Sequence, residues 1–371
     1  MDPTNRLPSP TLACPVPGSP LTLDAWLRCS DPQMLEVLWA AADRARHQHV
    51  GDEVHLRGLI EVSSHCVRSC AYCGLAKEHT ALQRYRMTAD EILACADEAV
   101  QLGYGTVVMQ AGEDYGLTRA FIAEVVAQIK ARTGLAVTLS LGERPREDFA
   151  AWKAAGADRY LMRFETTNRE LYQRIHPDLG NRLSDRLAQL NDLSELGYEV
   201  GSGVMVGIPG QTYADLAGDL AAFQALDLDM IGIGPYLPHP ATPLGREANA
   251  IAMDTADQVP TGELMTYKMV ALTRLLCPWA NIPATTALAT INKTDGRELG
   301  LQRGANIVMP NLTPVRYRAL YQIYPDKACI DETAAQCHHC LGGRIRSIGR
   351  EPGQGPGSAL HRPRSAQDTA Q

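Results

Sequence analysis

The sequence predicts an α/β protein built as a (β/α)8 barrel of the TIM type, with an N-terminal helical extension and disordered termini. Three observations carry that prediction. Short apolar runs alternate eight times with helix-forming stretches, the pattern of parallel strands joined by helical crossovers. At 371 residues the chain can bury a barrel core and still carry extensions. Residues able to do chemistry fall just after the strand candidates, where a barrel places its active site. An open, doubly wound sheet is the alternative topology.

Taken in order, the chain begins with an arm, residues 1–20, that holds six prolines and no apolar run. It reads as disordered and not as a signal peptide. Helical periodicity follows in Leu23, Trp26, Leu27, Leu35, Leu38, Trp39 and Ala42. The strand candidates are 56–62, 106–110, 136–141, 159–163, 199–206, 230–234, 281–285 and 305–309. Helix formers occupy 89–102, 119–133, 147–155, 182–196, 213–226, 262–276 and 297–303. Thr88, three residues before Glu91, reads as a capping box opening the first of these helices. One domain, 21–348, holds the barrel and the late cysteines, and the Gly- and Pro-rich stretch 349–371 reads as a disordered tail.

Composition narrows the function. A net charge of −7 supplies no basic face for a nucleic acid. No apolar run reaches the roughly eighteen residues that cross a bilayer. Both point to a cytoplasmic protein with neither nucleic-acid nor membrane partner. Ten cysteines in such a chain favour metal ligation or reactive thiols over a disulfide framework. Six of them form two clusters, Cys66/Cys70/Cys73 and Cys329/Cys337/Cys340.

The first cluster has the spacing C-x3-C-x2-C and follows the first strand candidate. Three thiolates on one loop can take three corners of a 4Fe–4S cluster, leaving one iron open for a small molecule. A structural zinc with a remote fourth ligand, such as His65, is the alternative. Cys95 and Cys277, in helical stretches, read as core thiols.

This spacing, with the aromatic Tyr72 before the last cysteine, resembles the signature of the radical S-adenosylmethionine (SAM) superfamily. The resemblance implies a 4Fe–4S cluster whose open iron chelates SAM, and reductive cleavage of SAM to a 5′-deoxyadenosyl radical. Ala111-Gly112-Glu113 is similar to the Gly-Gly-Glu element that meets the methionine amino group, with alanine at its first position. Tyr72 and Gly74 would meet the adenine. Within the superfamily's biotin synthase-like branch, residues 54–345 resemble the HydE family of FeFe-hydrogenase maturases. QAGEDYG, RFETTN, GSGVMVGIPGQT, NIPATTAL and GANIVMPNLTPVRYRALYQIYP carry that likeness.

What the resemblance implies can be stated residue by residue. Arg163, Glu165 and Arg182 would bind the polar parts of SAM, a guanidinium fork holding its carboxylate. Thr138, Thr285, Thr286, Met309 and Tyr321 would line a substrate cavity. Barrel-core filling is the plainer reading of these five. The substrate would be an iron–cysteine complex carrying CO and cyanide. A reductant such as ferredoxin or flavodoxin and other hydrogenase maturases would be partners. Cys329, Cys337 and Cys340 would hold an accessory 2Fe–2S or 4Fe–4S cluster. A biotin synthase-like activity would need cysteines on inner strands, and VTLSLGE and GSGVMVG have none. A methylornithine synthase-like mutase and a non-catalytic iron–sulfur carrier stay open as alternatives.

Overall fold

The computed structural model describes residues 14–180, 184–247 and 256–360. Its strands are β1 (Glu53–Ser63), β2 (Thr106–Ala111), β3 (Ala136–Ser140), β4 (Arg159–Leu161), β5 (Glu199–Val206), β6 (Met230–Pro235), β7 (Ile307–Val308) and β8 (Glu351–Pro352). Every pairing is parallel, in the order β6-β5-β4-β3-β2-β1-β7, with β8 added beside β1. The strands are buried almost throughout, as expected of a parallel sheet covered by helices.

The expected strand at 281–285 is reduced to two parallel bridges, Met230 with Asn281 and Pro283 with Ile307. Pro283 has no N–H to donate, so a regular ladder cannot run through it. The circuit still closes: Ile231 donates to the Asn281 carbonyl at 3.0 Å, and Ala284 to that of Ile307 at 2.9 Å. The (β/α)8 barrel is thus complete, with its eighth position held by bridges.

Helices follow the strands where periodicity placed them, and several are fixed by caps. Thr88 and Glu91 form the expected capping box of Ala89–Gln101, and Thr212 with Asp215 forms another for Tyr213–Ala225. The N-terminal helices Leu23–Arg28 and Pro32–Val50 bury Trp26, Leu27 and Leu38 in the main core. Val16, within the expected arm, also packs into that core, whereas residues 1–13 lie outside the described residues.

The chain after Ile348 departs from the expected disordered tail. Residues 349–360 cross the N-terminal end of the barrel as a strap. Gly353 donates to the Val54 carbonyl at 2.9 Å. The buried Arg57 donates to the Gly357 carbonyl at 2.9 Å, and Arg159 donates to the Pro356 carbonyl at 3.1 Å and to Ser358 Oγ at 2.9 Å. Two buried guanidiniums, Arg57 within β1 and Arg159 at the start of β4, need acceptors, and the strap's carbonyls and the Ser358 hydroxyl supply them. Residues 361–371 lie outside the described residues.

Candidate active site

The loop that follows β1 is zipped to the loop that follows β2. Ser63, the last residue of β1, donates to Asp114 Oδ2 at 2.7 Å, and Arg86 grips the same carboxylate at 2.7 and 2.8 Å. Gly112 donates to the Ser63 carbonyl at 3.1 Å and Val67 to that of Glu113 at 3.0 Å. A Cβ on Gly112 would stand 2.3 Å from the His65 carbonyl and 2.8 Å from Cys66 Cβ, so only glycine permits this approach.

Cys66, Cys70 and Cys73 are free thiols that line one cavity of about 320 Å³. Burial pushes all three thiols up, Cys73 to about 12. Among the described residues no three His, Cys, Asp or Glu side chains converge on one point. A mononuclear zinc site needs such convergence, whereas an iron–sulfur cubane takes each thiolate on a separate iron.

Around the triplet the C-terminal strand ends present charged groups. Glu113 Oε1 accepts from Arg68 Nε and from the Tyr115 hydroxyl, both at 2.9 Å, and its Oε2 accepts from the Glu143 amide at 3.0 Å. Arg68 lies between the first two cysteines and also meets Glu143 at 2.8 Å. Glu143 Oε1 accepts from Ser184 at 2.6 Å and Arg186 Nε at 3.0 Å. Burial pushes the Glu143 carboxyl up, but Arg186, Ser184 and Arg68 outweigh it and keep it ionised. His176 is driven down to about 2 by burial and by Arg186 and Arg68, so it is neutral and accepts from Arg186 Nη2 at 2.6 Å.

Glu165 sits at φ +63°, a strained conformation held by a parallel bridge to Val204 beyond the end of β4, and the residue lines the cavity. The Tyr72 hydroxyl donates to Glu165 Oε1 at 3.3 Å, and Arg163 Nη2 lies 3.1 Å from Oε2. Arg163 Nε and Glu165 Oε2 are buried without a hydrogen-bond partner. Gly74 donates to the Ile323 carbonyl at 3.0 Å, and a Cβ there would meet the Gln322 carbonyl at 2.2 Å. Gly74 is therefore set by a backbone crossing and is not among the cavity-lining residues.

Arg182 lies outside the described residues. Arg186, four residues later at the start of helix Arg186–Glu195, lines the cavity. Sequence reasoning missed it together with Arg68, although Arg68 stands inside the cysteine motif.

Deeper in the barrel the same cavity is lined by Thr285, Thr286, Met309 and Tyr321. Thr138 is buried, but the lining residue on β3 is Ser140, two positions further along the same face. Tyr321 accepts from Gln110 Nε2 at 3.2 Å. Lys327 pairs with Glu61 and lies 5.3 Å over the Tyr321 ring, a buried ion pair on the cavity wall that the sequence did not announce.

The second cysteine set is only partly assembled. The Cys337 thiol, on helix Ala334–Ser347, donates to Cys329 and with Arg297 holds Cys329 below the usual thiol range, while Cys337 is raised. Cys340 is exposed, and His338 packs against the Tyr104 ring at 5.4 Å.

A parallel barrel with a cysteine triplet and convergent Glu and Arg groups at its C-terminal face defines the architecture of a radical SAM enzyme. Residues 60–222 match the Radical SAM superfamily. The FeFe-hydrogenase maturase subunit HydE of Thermotoga maritima is 48% identical over 329 residues, covering 88% of this chain and 90% of that one. The 3-methylornithine synthase of Methanosarcina acetivorans is 27% identical over 289 residues, covering 77% of each. The crystal structure of a methylornithine synthase superposes with a TM-score of 0.74 at 23% identity, covering 92% of this chain and 96% of that one. The chain belongs to the radical SAM superfamily and, within it, to the HydE family.

Membership implies a 4Fe–4S cluster and SAM. The residues present fit both. Three free thiols share one cavity, and the Arg163–Glu165 ion pair in its lining, with Arg163 Nε and Glu165 Oε2 lacking hydrogen bonds, complements a zwitterionic ligand.

Proposed function

We propose that this chain is a HydE-type maturase acting in assembly of the FeFe-hydrogenase active site. Cys66, Cys70 and Cys73 hold three irons of the cluster. When bound, the cluster supplies the electron that splits SAM into methionine and a 5′-deoxyadenosyl radical. Arg163, Glu165 and Arg186 orient the polar groups of SAM, with Arg182 as a further candidate. Glu113, held by Arg68, Tyr115 and the Glu143 amide, presents its carboxylate toward the methionine amino group.

The observation that carries this reading is the continuity of one cavity from the triplet to Thr285, Thr286, Met309 and Tyr321. A molecule held there would share one cavity with SAM bound at the triplet. The substrate is a small organometallic precursor, an iron–cysteine complex with CO and cyanide. Ferredoxin or flavodoxin supplies electrons, other maturases exchange substrate and product, and the setting is the cytoplasm. Cys329, Cys337 and Cys340 hold an accessory 2Fe–2S or 4Fe–4S cluster not needed for this chemistry.

Anaerobic reconstitution, reduction with dithionite and EPR with and without SAM test the proposal, alongside a Cys70→Ser variant and an assay for 5′-deoxyadenosine. A reduced-cluster signal perturbed by SAM, with 5′-deoxyadenosine from wild type alone, is the expected result. No cluster on the triplet, or a signal indifferent to SAM, rejects it. Turnover of an amino acid in place of the iron complex would move the chain to the mutase reading.

A further inference from the structure

We infer that Arg84 is the positioning residue of the cluster loop and its electrostatic counter-charge. The two nitrogens at the end of one guanidinium reach four backbone carbonyls. Nη1 donates to Ser64 at 2.5 Å and Leu75 at 2.8 Å; Nη2 donates to Ala76 at 2.8 Å and His79 at 3.3 Å. Ser64 precedes Cys66, and the other three acceptors follow Cys73, so the fork ties both ends of the triplet segment together.

The rest of the loop has little regular structure to hold it. Within itself it closes through single turns, Cys73 to the Cys70 carbonyl at 3.4 Å and Ala76 to that of Cys73 at 2.9 Å, while Val67, Ala71 and Gly74 tie its middle to Glu113, Ile175 and Ile323. Among the described residues Arg84 alone joins its two ends through one side chain. Arg84 lies beyond the loop, next to Tyr85, whose amide donates to Ser64 Oγ at 3.1 Å and whose carbonyl accepts from the Ser64 amide at 3.1 Å, which fixes the register. A planar fork with fixed donors suits this task, and a lysine's single ammonium could not span the same four acceptors.

The charge matters as well as the fork. Among the described residues Arg84 has no carboxylate partner, unlike Arg68 and Arg86 in the same region. Burial disfavours its charge, and the sulfurs of Cys66 and Cys73, which lie along the chain between the carbonyls it grips, oppose that. A half-buried, unneutralised cation beside thiolate ligands favours the more negative, reduced state of the cluster they hold.

The inference rests on the triplet holding a cluster, and the test separates the two. Wild type, Arg84→Gln and Arg84→Lys would be reconstituted anaerobically. Iron and sulfide content, the EPR-monitored titration with dithionite in the absence of SAM, and apoprotein melting would then be measured. Arg84→Gln is expected to lower the reduced-to-oxidised ratio at a fixed potential about tenfold, equivalent to about 59 mV for one electron. Arg84→Lys is expected to keep the wild-type ratio but lose iron several-fold faster in air.

Wild-type ratio and iron retention in both variants would overturn the inference. If Arg84→Gln loads too little iron to titrate, unchanged apoprotein melting supports the clamp. A lowered melting temperature instead assigns Arg84 to general stability and overturns it. Failure of wild type itself to load iron would overturn the cluster reading.

Discussion

Ending the chain after Arg350 removes the strap and leaves Arg57 and Arg159 at the barrel's N-terminal end without three of their acceptors. Those are the carbonyls of Gly357 and Pro356 and the Ser358 hydroxyl. Thr106 Oγ1 also loses the Pro356 carbonyl at 2.9 Å, and Asn281 Nδ2 loses that of Gly357 at 3.0 Å. Hydrogen bonds from charged donors contribute about 1.5–3 kcal/mol each and neutral ones about 1 kcal/mol. Water reaching the uncovered guanidiniums returns part of this, leaving a net loss of about 3–5 kcal/mol. Urea unfolding followed by circular dichroism would read the loss, and a thermal melt should show a fall of roughly 4–6 °C for a chain of this length. Iron loading should be unchanged, because the cysteine triplet lies at the opposite end of the barrel. A truncated chain that melts within about 2 °C of the full one would refute the reasoning, since the strap would then be replaceable by water.

Other perturbations follow from the same geometry. Asp219 is fully buried, accepts from Thr167 N at 2.6 Å and Thr167 Oγ1 at 2.8 Å, and is raised by burial to about 7. The native state therefore holds this proton where the unfolded chain has released it. Stability falls as pH rises from about 4 to about 7, by up to about 4 kcal/mol, and then levels off. Asp219→Asn should flatten that profile and be the more stable form at pH 8; an unchanged slope in denaturant titrations would count against it. Gly112→Val drives a side chain into His65 and Cys66, so bound iron should fall to a small fraction of wild type while far-UV circular dichroism is retained. Lys327→Met strands the buried Glu61 carboxylate at a cost of about 3–5 kcal/mol. The double change with Glu61→Gln should recover most of it, and a double-mutant cycle with no coupling would reject the pair.

Much of this protein was legible in its sequence, for local reasons. Strand β5 falls at 199–206 as expected, because a short stretch of valine, methionine and small residues between helix formers has one comfortable place in a buried parallel sheet. The cysteine triplet needed only its spacing. Thr285, Thr286, Met309 and Tyr321 reach the cavity because strand ends and alternation fix which way they face. The polar network was less legible. Arg68, Glu143 and the Ser184–Arg186 stretch come from three separate segments, and no sequence period relates them.

The sequence by itself determined the barrel, the cluster loop and the family, since each is written in periodicity or in a contiguous motif. Tertiary structure alone decided the strap and the partner choices. Gly- and Pro-rich composition signals disorder when a segment must bury its own apolar surface, but residues 349–360 are held by acceptors they offer to Arg57 and Arg159. Likewise Lys327 finds Glu61 across 266 positions of chain. Charges buried at such separations are satisfied only once the barrel has closed, and that closure brings distant strand ends within hydrogen-bond reach.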